Sequence, residues 1–347
     1  MRCSRSVGFS AREAENDGVD EGTIVRLLRS TGAPGGDTFG PVPVVSIVVP
    51  TRGGAERIPR LLRALRAQEA CDWEAIFVLD GDIDDSAGVL AAQAADLPVR
   101  VVVFPENRGR AAALNAGFAA ARGSVLVRCD DDVEPAPDFA AAHAALHADR
   151  RIGIVGPCRD VFEDTAYARA YGLPAERRVR EHSYALAAEQ GWRLWSGNVS
   201  VTREVYDEVG EYDTDFREYG WEDVDWGYRL HLLGVPVIAA REVEALHHNP
   251  ARSLTERAER AYAAGSSQRR FLAKHGSAAA ALVEAPARWD SPWNLAVGIT
   301  AAVLTPRTLP SVGRVLDRLI ERVPRAVGEK LAALGVEAAG RAGRRTH

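Results

Sequence analysis

Four short apolar runs that alternate with helical segments constrain the fold of this chain more than any other feature. The runs are Val44 to Val49, Trp73 to Leu79, Val99 to Phe104 and Ser124 to Val127. The intervening segments 56–68, 86–95 and 109–121 are predicted to be helices, the first with apolar residues at helical spacing. Strands that alternate with helices across short loops predict right-handed crossovers and a mostly parallel α/β sheet flanked by helices.

The pattern continues less regularly towards residue 250. We predict a helix over 137–149, strands over 152–155, 194–201 and 235–239, a helix that opens near residue 221 and ends near Leu233, and a long helix over 253–274. Residues 158–192 show no strong periodicity. We therefore expect a polar, disordered tail over 1–41, an α/β unit over 42–250 with halves at 42–157 and 158–250, and a C-terminal helical extension over 251–347.

Composition excludes several classes of protein. The chain has 347 residues, and its net charge of −5 argues against nucleic acid as a partner. Four scattered cysteines lack the spacing of a metal or redox motif. There is no secretory signal and no run of 18 apolar residues, so we expect a cytoplasmic protein.

An amphipathic pattern near the C-terminus admits two interpretations. Apolar residues at 312, 315, 316, 319, 320 and 323 alternate with charged residues at 314, 318, 321 and 322. This helix either packs against the rest of the protein or a second protomer, or makes peripheral contact with the inner face of a membrane.

The fourth apolar run ends in three consecutive carboxylates, Asp130, Asp131 and Asp132. Unpaired charges of one sign repel each other, and burying them costs several kcal/mol each. A divalent Mg²⁺ or Mn²⁺ ion would neutralise them and share its remaining positions with substrate phosphates. The run predicts a metal–diphosphate site at the carboxyl edge of the sheet, where open α/β sheets bind ligands. The alternative is a solvated acidic turn.

Other polar residues of the sequence are further candidates for a functional site. Asp80 and Asp82 follow the second run, so five carboxylates could converge on one cleft, unless they only cap the next helix. Glu222 and Asp223 open a helix beside tryptophans, which could desolvate a general base. His247 and His248 follow an apolar segment and are candidate metal ligands.

A phosphate-binding turn is also predicted, without a nucleotide-binding signature. Gly109 begins a helix beside Arg108 and Arg110, so its backbone N–H groups could bind phosphate. Neither a G-x-x-x-x-G-K-[ST] loop nor a G-x-G-x-x-G after the first strand occurs, which disfavours a classical dinucleotide fold.

Taken in order, these motifs resemble the family 2 glycosyltransferases, which have a GT-A type, Rossmann-like fold. The resemblance covers about residues 44–250 and rests on Ser46–Arg52, Gln68, Asp80–Asp82, Asn107–Gly109, Ala113–Gly117, Asp130–Asp132 and Trp221–Asp223. It implies a nucleotide-sugar half over 42–157 and an acceptor half over 158–250.

The resemblance also implies roles for individual residues. The nucleotide would meet Pro50, Thr51, Arg52, Asp80, Asp82, Asn107, Arg108, Asp130 and Asp131. Metal ligands would be Asp130 and Asp132 of the D-x-D motif, joined by His247 or His248. Asp223 would be the general base and Glu222 would help to hold the acceptor. The acceptor would border Trp192, Trp195, Gly197, Asn198 and Trp221.

The implied activity is metal-dependent, inverting transfer of a sugar from a nucleoside diphosphate sugar, UDP-sugar being favoured. The acceptor would be a hydroxyl of a carbohydrate, a lipid-linked or a small molecule. The alternatives are a catalytically silent nucleotide-sugar binding protein, a retaining transferase, and a sugar-nucleotide pyrophosphorylase, whose Gly-rich loop has a partial counterpart in Arg52–Arg57.

Overall fold

The computed structural model describes residues 24–27, 42–217, 219–283 and 291–345. Within these ranges the strands are β1 Ile24–Leu27, β2 Val45–Thr51, β3 Trp73–Asp80, β4 Val99–Phe104, β5 Val125–Cys129, β6 Val133–Glu134, β7 Gly153–Val155, β8 Cys158–Asp160, β9 Asn198–Thr202, β10 Val237–Ala239 and β11 Ala245–His247. The α-helices are α1 Ile58–Arg66, α2 Ser86–Gln93, α3 Arg110–Ala120, α4 Phe139–Leu146, α5 Leu173–Ala185, α6 Arg203–Val209, α7 Glu222–Leu232, α8 Leu254–Val283, α9 Pro292–Val303, α10 Leu309–Ile320 and α11 Arg325–Gly343.

The main sheet has the strand order β1-β4-β3-β2-β5-β9-β7-β10. Strands β4, β3, β2 and β5 are parallel, whereas β9 runs antiparallel to β5 and β7. The predicted mostly parallel sheet flanked by helices is therefore confirmed. After β2 the chain first builds the sheet towards β4 and then crosses to β5, so the strand order reverses between β2 and β5. Such a reversal opens a crevice at the carboxyl ends of the two strands.

Both faces of the sheet are buried, which explains the continuous apolar runs in the sequence. Alternate residues of β2 point to opposite faces: Val48 joins a core under α3, and Ile47 and Val49 join a core under α1. Helix α1 contributes Ile58, Leu61, Leu62 and Leu65 to the second core. These four residues have the helical spacing that is visible in the sequence.

Three elements differ from the sequence expectation. Residues 24–27 lie within the expected disordered tail but pair antiparallel with β4 at the sheet edge; the rest of 1–41 lies outside the described residues. The aperiodic segment 158–192 contains α5, which follows a π-helical turn at Ala168–Gly172. Helix α8 continues past residue 274 through Gly276, whose φ of 71° interrupts the helical backbone.

A small second sheet, β6-β11-β8, stands beside the carboxyl end of β5. Its register aligns His247 of β11 with Val133 of β6 and with Asp160 of β8. This register brings a histidine from late in the chain next to the residues that directly follow β5. It is the structural basis of the site described next.

Candidate active site

A cleft of about 350 Å³ opens at the β2/β5 reversal. Of the residues predicted from the sequence, Pro50, Thr51, Arg52, Asp80, Asn107, Asp130, Asp131, Asp132 and Glu222 line it. The loop after β2, the turn before α3, the acidic run after β5 and the first residue of α7 therefore meet in one place. Asp82 does not reach the cleft; it is exposed, and its carboxylate accepts a hydrogen bond from the N–H of Ala87.

The three consecutive aspartates have three different partners. Asp131 is buried and receives two hydrogen bonds from Arg57, at 2.8 and 2.9 Å. Burial raises the pKa of Asp131 to about 6, although Arg57 acts in the opposite direction. Asp130 is bound by Arg128, at 2.8 and 3.2 Å, and Asp132 faces His247. Repulsion within the acidic run is thus largely offset by protein cations.

Arg128 is one of the residues that the sequence reasoning missed. It lies inside β5 and is buried, and its guanidinium also forms an ion pair with Asp223. An arginine inside an otherwise apolar strand was a visible signal, because a charge is buried only with partners. Arg128 joins the acidic run after β5 to the start of α7.

Asp132 and His247 face each other beside the acidic run. The carboxylate Oδ2 of Asp132 lies 3.5 Å from Nε2 of His247, and Nδ1 of His247 lies 2.6 Å from Oδ1 of Asp160. Burial lowers the pKa of His247, but Asp132 and Asp160 raise it more, to about 10. His248 turns away and pairs with Glu134 at 2.5 Å. Of the two histidines, His247 is the one that faces the aspartate run.

No group of three or more metal-binding side chains converges within the described residues. In this structure Asp130 is held by Arg128, and Asp131 is held by Arg57. The donor set nevertheless fits Mg²⁺ or Mn²⁺, which are commonly bound through one or two carboxylates together with substrate phosphates. A histidine whose second nitrogen is held by a carboxylate is the usual form of a histidine ligand.

Asp80 organises the turn before α3. Its two carboxylate oxygens accept hydrogen bonds from the N–H groups of Arg108, at 2.6 Å, and Gly109, at 3.0 Å. Its carbonyl accepts a hydrogen bond from Nη1 of Arg52 at 2.8 Å. Gly109 has a φ of 92°, which favours glycine. The side chain of Arg108 stacks over Phe104, 4.8 Å from the ring centre, and is not among the cleft-lining residues.

The two acids at the start of α7 differ in exposure to the cleft. Glu222 lines the cleft, and its Oε1 accepts a hydrogen bond from Arg110 at 3.1 Å. Burial raises the pKa of Asp223 to about 7, although Arg128 acts in the opposite direction. Asp223, by contrast, is not among the cleft-lining residues, and its side chain is 13% exposed. Two buried polar atoms of cleft-lining residues, Oε2 of Glu222 and Oγ1 of Thr51, have no hydrogen-bond partner among the described residues.

The expected acceptor residues are corrected by the structure. Trp192 and Trp195 are 1% and 3% exposed, so neither ring can stack on a sugar. Trp195 stacks on Trp226, since both belong to the core between the sheet and α7. Asn198 is also buried and donates a hydrogen bond to the carbonyl of Val243 at 2.8 Å.

The other two expected acceptor residues have supporting positions. A Cβ on Gly197 would lie 2.5 Å from Oδ2 of Asp130, so this glycine makes room for the aspartate. The ring of Trp221 packs on Phe271 of α8, with centroids 5.0 Å apart. Residues not predicted from the sequence line the cleft near Glu222 instead: Phe216, Arg217 and Tyr219.

Comparison with known proteins agrees with this geometry. Residues 46–209 match the family model described as Glycosyl transferase family 2. The chain is 29% identical over 239 residues to validoxylamine A glucosyltransferase of Streptomyces hygroscopicus subsp. jinggangensis, covering 59% of this chain and 56% of that one. It is 35% identical over 136 residues to an undecaprenyl-phosphate 4-deoxy-4-formamido-L-arabinose transferase of Pseudomonas fluorescens, covering 37% and 39%. The chain thus spans about half the length, or less, of these relatives.

Among solved structures, a mannosyltransferase from Pyrobaculum calidifontis in complex with GDP-Man and Mn²⁺ has a similar fold. The TM-score is 0.58 at 21% identity, over 86% of this chain and 87% of that one. The fold is therefore of the GT-A glycosyltransferase class. The match over residues 46–209 and the glycosyltransferase relatives support a family 2 glycosyltransferase.

Proposed function

We propose that this protein is a metal-dependent, inverting glycosyltransferase that uses a nucleoside diphosphate sugar. The supporting observation is that Asp132, which faces His247, and Glu222, at the acidic start of α7, line one cleft at the β2/β5 reversal. The first group suits a diphosphate-bound cation, and the second suits activation of a hydroxyl. We also propose that residues 42–250 are the catalytic unit and that 251–347 are an extension of it.

The donor would be held by backbone and side chains at the ends of β2 and β3. Oγ1 of Thr51 is buried and has no hydrogen-bond partner among the described residues. A hydroxyl of the ribose or a polar atom of the base would supply this hydrogen bond. We favour UDP-sugar as the donor. Asp80 keeps the turn at Gly109 in place, so that the N–H groups at the start of α3 face the cleft.

The metal would be held by Asp132 and His247, with Asp130 beside them. A bound Mg²⁺ or Mn²⁺ would offset the charge of the leaving diphosphate. The chain's own contribution is to orient these ligands: Asp160 holds Nδ1 of His247, so that Nε2 faces Asp132.

Asp223 is the proposed general base. A single base that removes the proton from the acceptor hydroxyl gives inversion in one displacement. Burial raises the pKa of this carboxylate towards neutrality, where a base is both deprotonated and able to accept a proton. Glu222 would hold the acceptor, since its Oε2 is buried without a partner and its residue lines the cleft.

We propose the class of acceptor from the names of the relatives. One relative is named for validoxylamine A and the other for undecaprenyl phosphate. A hydroxyl of a carbohydrate, lipid-linked or small molecule therefore remains the proposed acceptor. It would approach past Phe216, Arg217 and Tyr219 in place of the buried tryptophans.

The first test is thermal unfolding with nucleoside diphosphates, each with and without Mn²⁺. A ligand that binds the native state raises the Tm by mass action, and we expect a metal-dependent shift with one nucleotide, UDP being favoured. Asp132→Ala should abolish the shift, whereas Asp82→Ala, an aspartate on the exposed surface, should leave it unchanged. If no nucleotide shifts the Tm, the proposed donor site is wrong.

The second test separates an enzyme from a silent binding protein. Asp223→Asn should retain the nucleotide-dependent Tm shift but lower kcat by roughly 10²–10⁴-fold, the usual contribution of a general base. The kcat of the wild type should rise with pH up to about 7 and then level off, because only deprotonated Asp223 accepts a proton. Glu222→Gln should raise KM for the acceptor and keep this pH profile. The anomeric configuration of the product distinguishes inversion from retention.

A further inference from the structure

Helix α9 exposes an apolar stripe that nothing in the described structure covers. Leu295, Ile299 and Val303 follow each other at intervals of four residues and are 56%, 63% and 59% exposed. The opposite face of α9 is buried through Val297 and Ala301. Single exposed apolar residues are ordinary, but an aligned row of them on one helix face indicates a partner surface.

Helix α10 continues this surface with both apolar and basic residues. Val315 and Leu319 are 54% and 41% exposed, while the other face of α10 is buried through Gly313 and Ile320. Arg314, Arg318 and Arg322 follow each other at intervals of four residues and are exposed. Like charges at this spacing destabilise an isolated helix, so the row is unfavourable without an external anion.

The basic residues have no acidic partners in the described part of the chain. Between residues 305 and 325 there are five arginines and two acids. None of the five arginines forms an ion pair with a described carboxylate; Arg314 and Arg322 contact only the hydroxyl of Ser311 and the carbonyl of Arg318. One of the two acids, Asp317, is engaged in capping α8 through Leu254 and Thr255. This surface is basic in a protein whose net charge is −5.

The two helices lie side by side on a common support. A small gap between them is lined by Thr300 of α9 and Leu304 directly after it, Val312 and Leu316 of α10, Leu254 of α8 and Gly335 of α11. Both helices therefore pack onto the α8–α11 pair with their buried faces, and their outer faces point away from it. No helix in the described ranges is both long and apolar enough to cross a bilayer.

We propose that the outer faces of α9 and α10 form a docking surface for an anionic lipid bilayer. Leu295, Ile299, Val303, Val315 and Leu319 would enter the boundary between head groups and acyl chains, and the arginines would bind lipid phosphates. Charge complementarity selects this occupant over a second copy of the chain, because a copy would bring the same arginines to the interface. This proposal does not depend on the proposed glycosyl transfer.

Flotation with vesicles tests the proposal directly. We expect the purified protein to float with vesicles of phosphatidylglycerol and phosphatidylcholine, and to remain unbound with phosphatidylcholine alone. Arg314→Gln/Arg318→Gln/Arg322→Gln should weaken binding by about tenfold to a hundredfold, since each basic residue near the surface contributes on the order of a fivefold factor. Leu295→Ser/Ile299→Ser/Val303→Ser should weaken binding at least tenfold at any ionic strength.

The matched controls change exposed residues on other helices. Val179→Ser/Leu232→Ser removes two apolar side chains that are 65% and 61% exposed, and Arg177→Gln removes an exposed arginine that pairs with Glu181. Both should float like the wild type. Equal flotation of the stripe variants and the wild type would overturn the proposal. So would failure to bind anionic vesicles, or a dimer in solution that the Leu295/Ile299/Val303 variant converts to a monomer.

Discussion

Arg128 shows how one buried side chain can connect two halves of a site. Its guanidinium binds Asp130, directly after β5, and Asp223, on the first turn of α7. Burial penalises the charged form of Arg128, but the two aspartates more than offset this and raise its pKa. The arginine therefore stays charged and keeps both carboxylates oriented.

Removal of Arg128 should be costly, because it leaves two acids without their ion-pair partner. We expect Arg128→Leu to lower the free energy of unfolding by about 3–5 kcal/mol. The Arg128→Leu/Asp223→Asn double variant should recover part of this loss, because the carboxylate of Asp223 is then replaced by a neutral amide. Urea unfolding measures both. Arg63→Leu, on the exposed side of α1, is the control; additive losses in the double variant would contradict the coupling.

Asp160 is predicted to act on the metal through His247. Because Asp160 holds Nδ1 of His247, Asp160→Asn should weaken Mn²⁺ binding in the presence of nucleoside diphosphate by about 10–100-fold. Free Mn²⁺ can be followed by electron paramagnetic resonance. The control is Glu134→Gln, which alters the carboxylate paired with His248 and should leave the affinity unchanged. Equal Mn²⁺ affinities for Asp160→Asn and wild type would argue against this role.

At the scale of elements, α3 has to approach the sheet closely for its first turn to face the cleft. A Cβ on Gly117 would overlap Cγ1 of Val48 on β2 and lie 3.1 Å from Val78 on β3. Valine cannot move aside, because its branched side chain is packed on the strand. The glycine therefore sets the distance between α3 and the sheet.

Gly117→Ala should thus lower the free energy of unfolding by about 1–3 kcal/mol through overpacking. Gly340 of α11 offers a matched comparison, since a Cβ there would meet its nearest neighbour at 3.6 Å. Gly340→Ala should raise the stability by about 0.5–1 kcal/mol, the usual gain within a helix. Chemical denaturation of both variants measures the difference, and the same sign of effect at both positions would refute the packing argument.

At the scale of the whole molecule, buried histidines affect stability towards acid. His143 and His147 of α4 contact the hydroxyl of Ser200 on β9, at 2.7 and 2.8 Å. Burial lowers the pKa of His143 to about 3 and that of His147 to about 4. Between about pH 4 and pH 6.5, both histidines are therefore neutral in the folded protein. In the unfolded chain, where their pKa values are near 6.5, they are protonated in this range.

These two histidines should accordingly lower the stability of the folded state as the pH falls from about 6.5 towards 4, by on the order of a few kcal/mol. The raised pKa values of Asp131 and Asp223 act in the opposite direction over this range. His143→Asn/His147→Gln keeps the hydrogen-bonding atoms near Ser200 without a titrating ring, so this variant should gain stability relative to the wild type as the pH falls. His182→Gln, at an exposed histidine, should retain the wild-type dependence. Thermal unfolding between pH 4 and 7 measures the slopes, and parallel slopes for the double variant and wild type would disprove this origin.

Local sequence patterns were sufficient to predict the sheet and part of the site. Buried strands, short loops and acids at strand ends are recorded in the order of residues, so β2 to β5 and the convergence of Asp80, Asp130 and Asp132 followed from the sequence. The family assignment rests on the same ordered motifs, and comparison confirms it.

Other features required contacts between distant residues. The choice of His247 over His248 depends on the register of β11 against β6 and β8, and a shift of one residue would exchange their positions. The burial of Trp192 and Trp195 depends on how α7 packs on the sheet, because an aromatic residue serves equally well in a core or at a binding surface. The sequence determined which chemical groups gather at the sheet edge, because periodicity and strand ends are local. Only the tertiary structure decided which of them face the cleft, because register and packing bring together residues far apart in the chain.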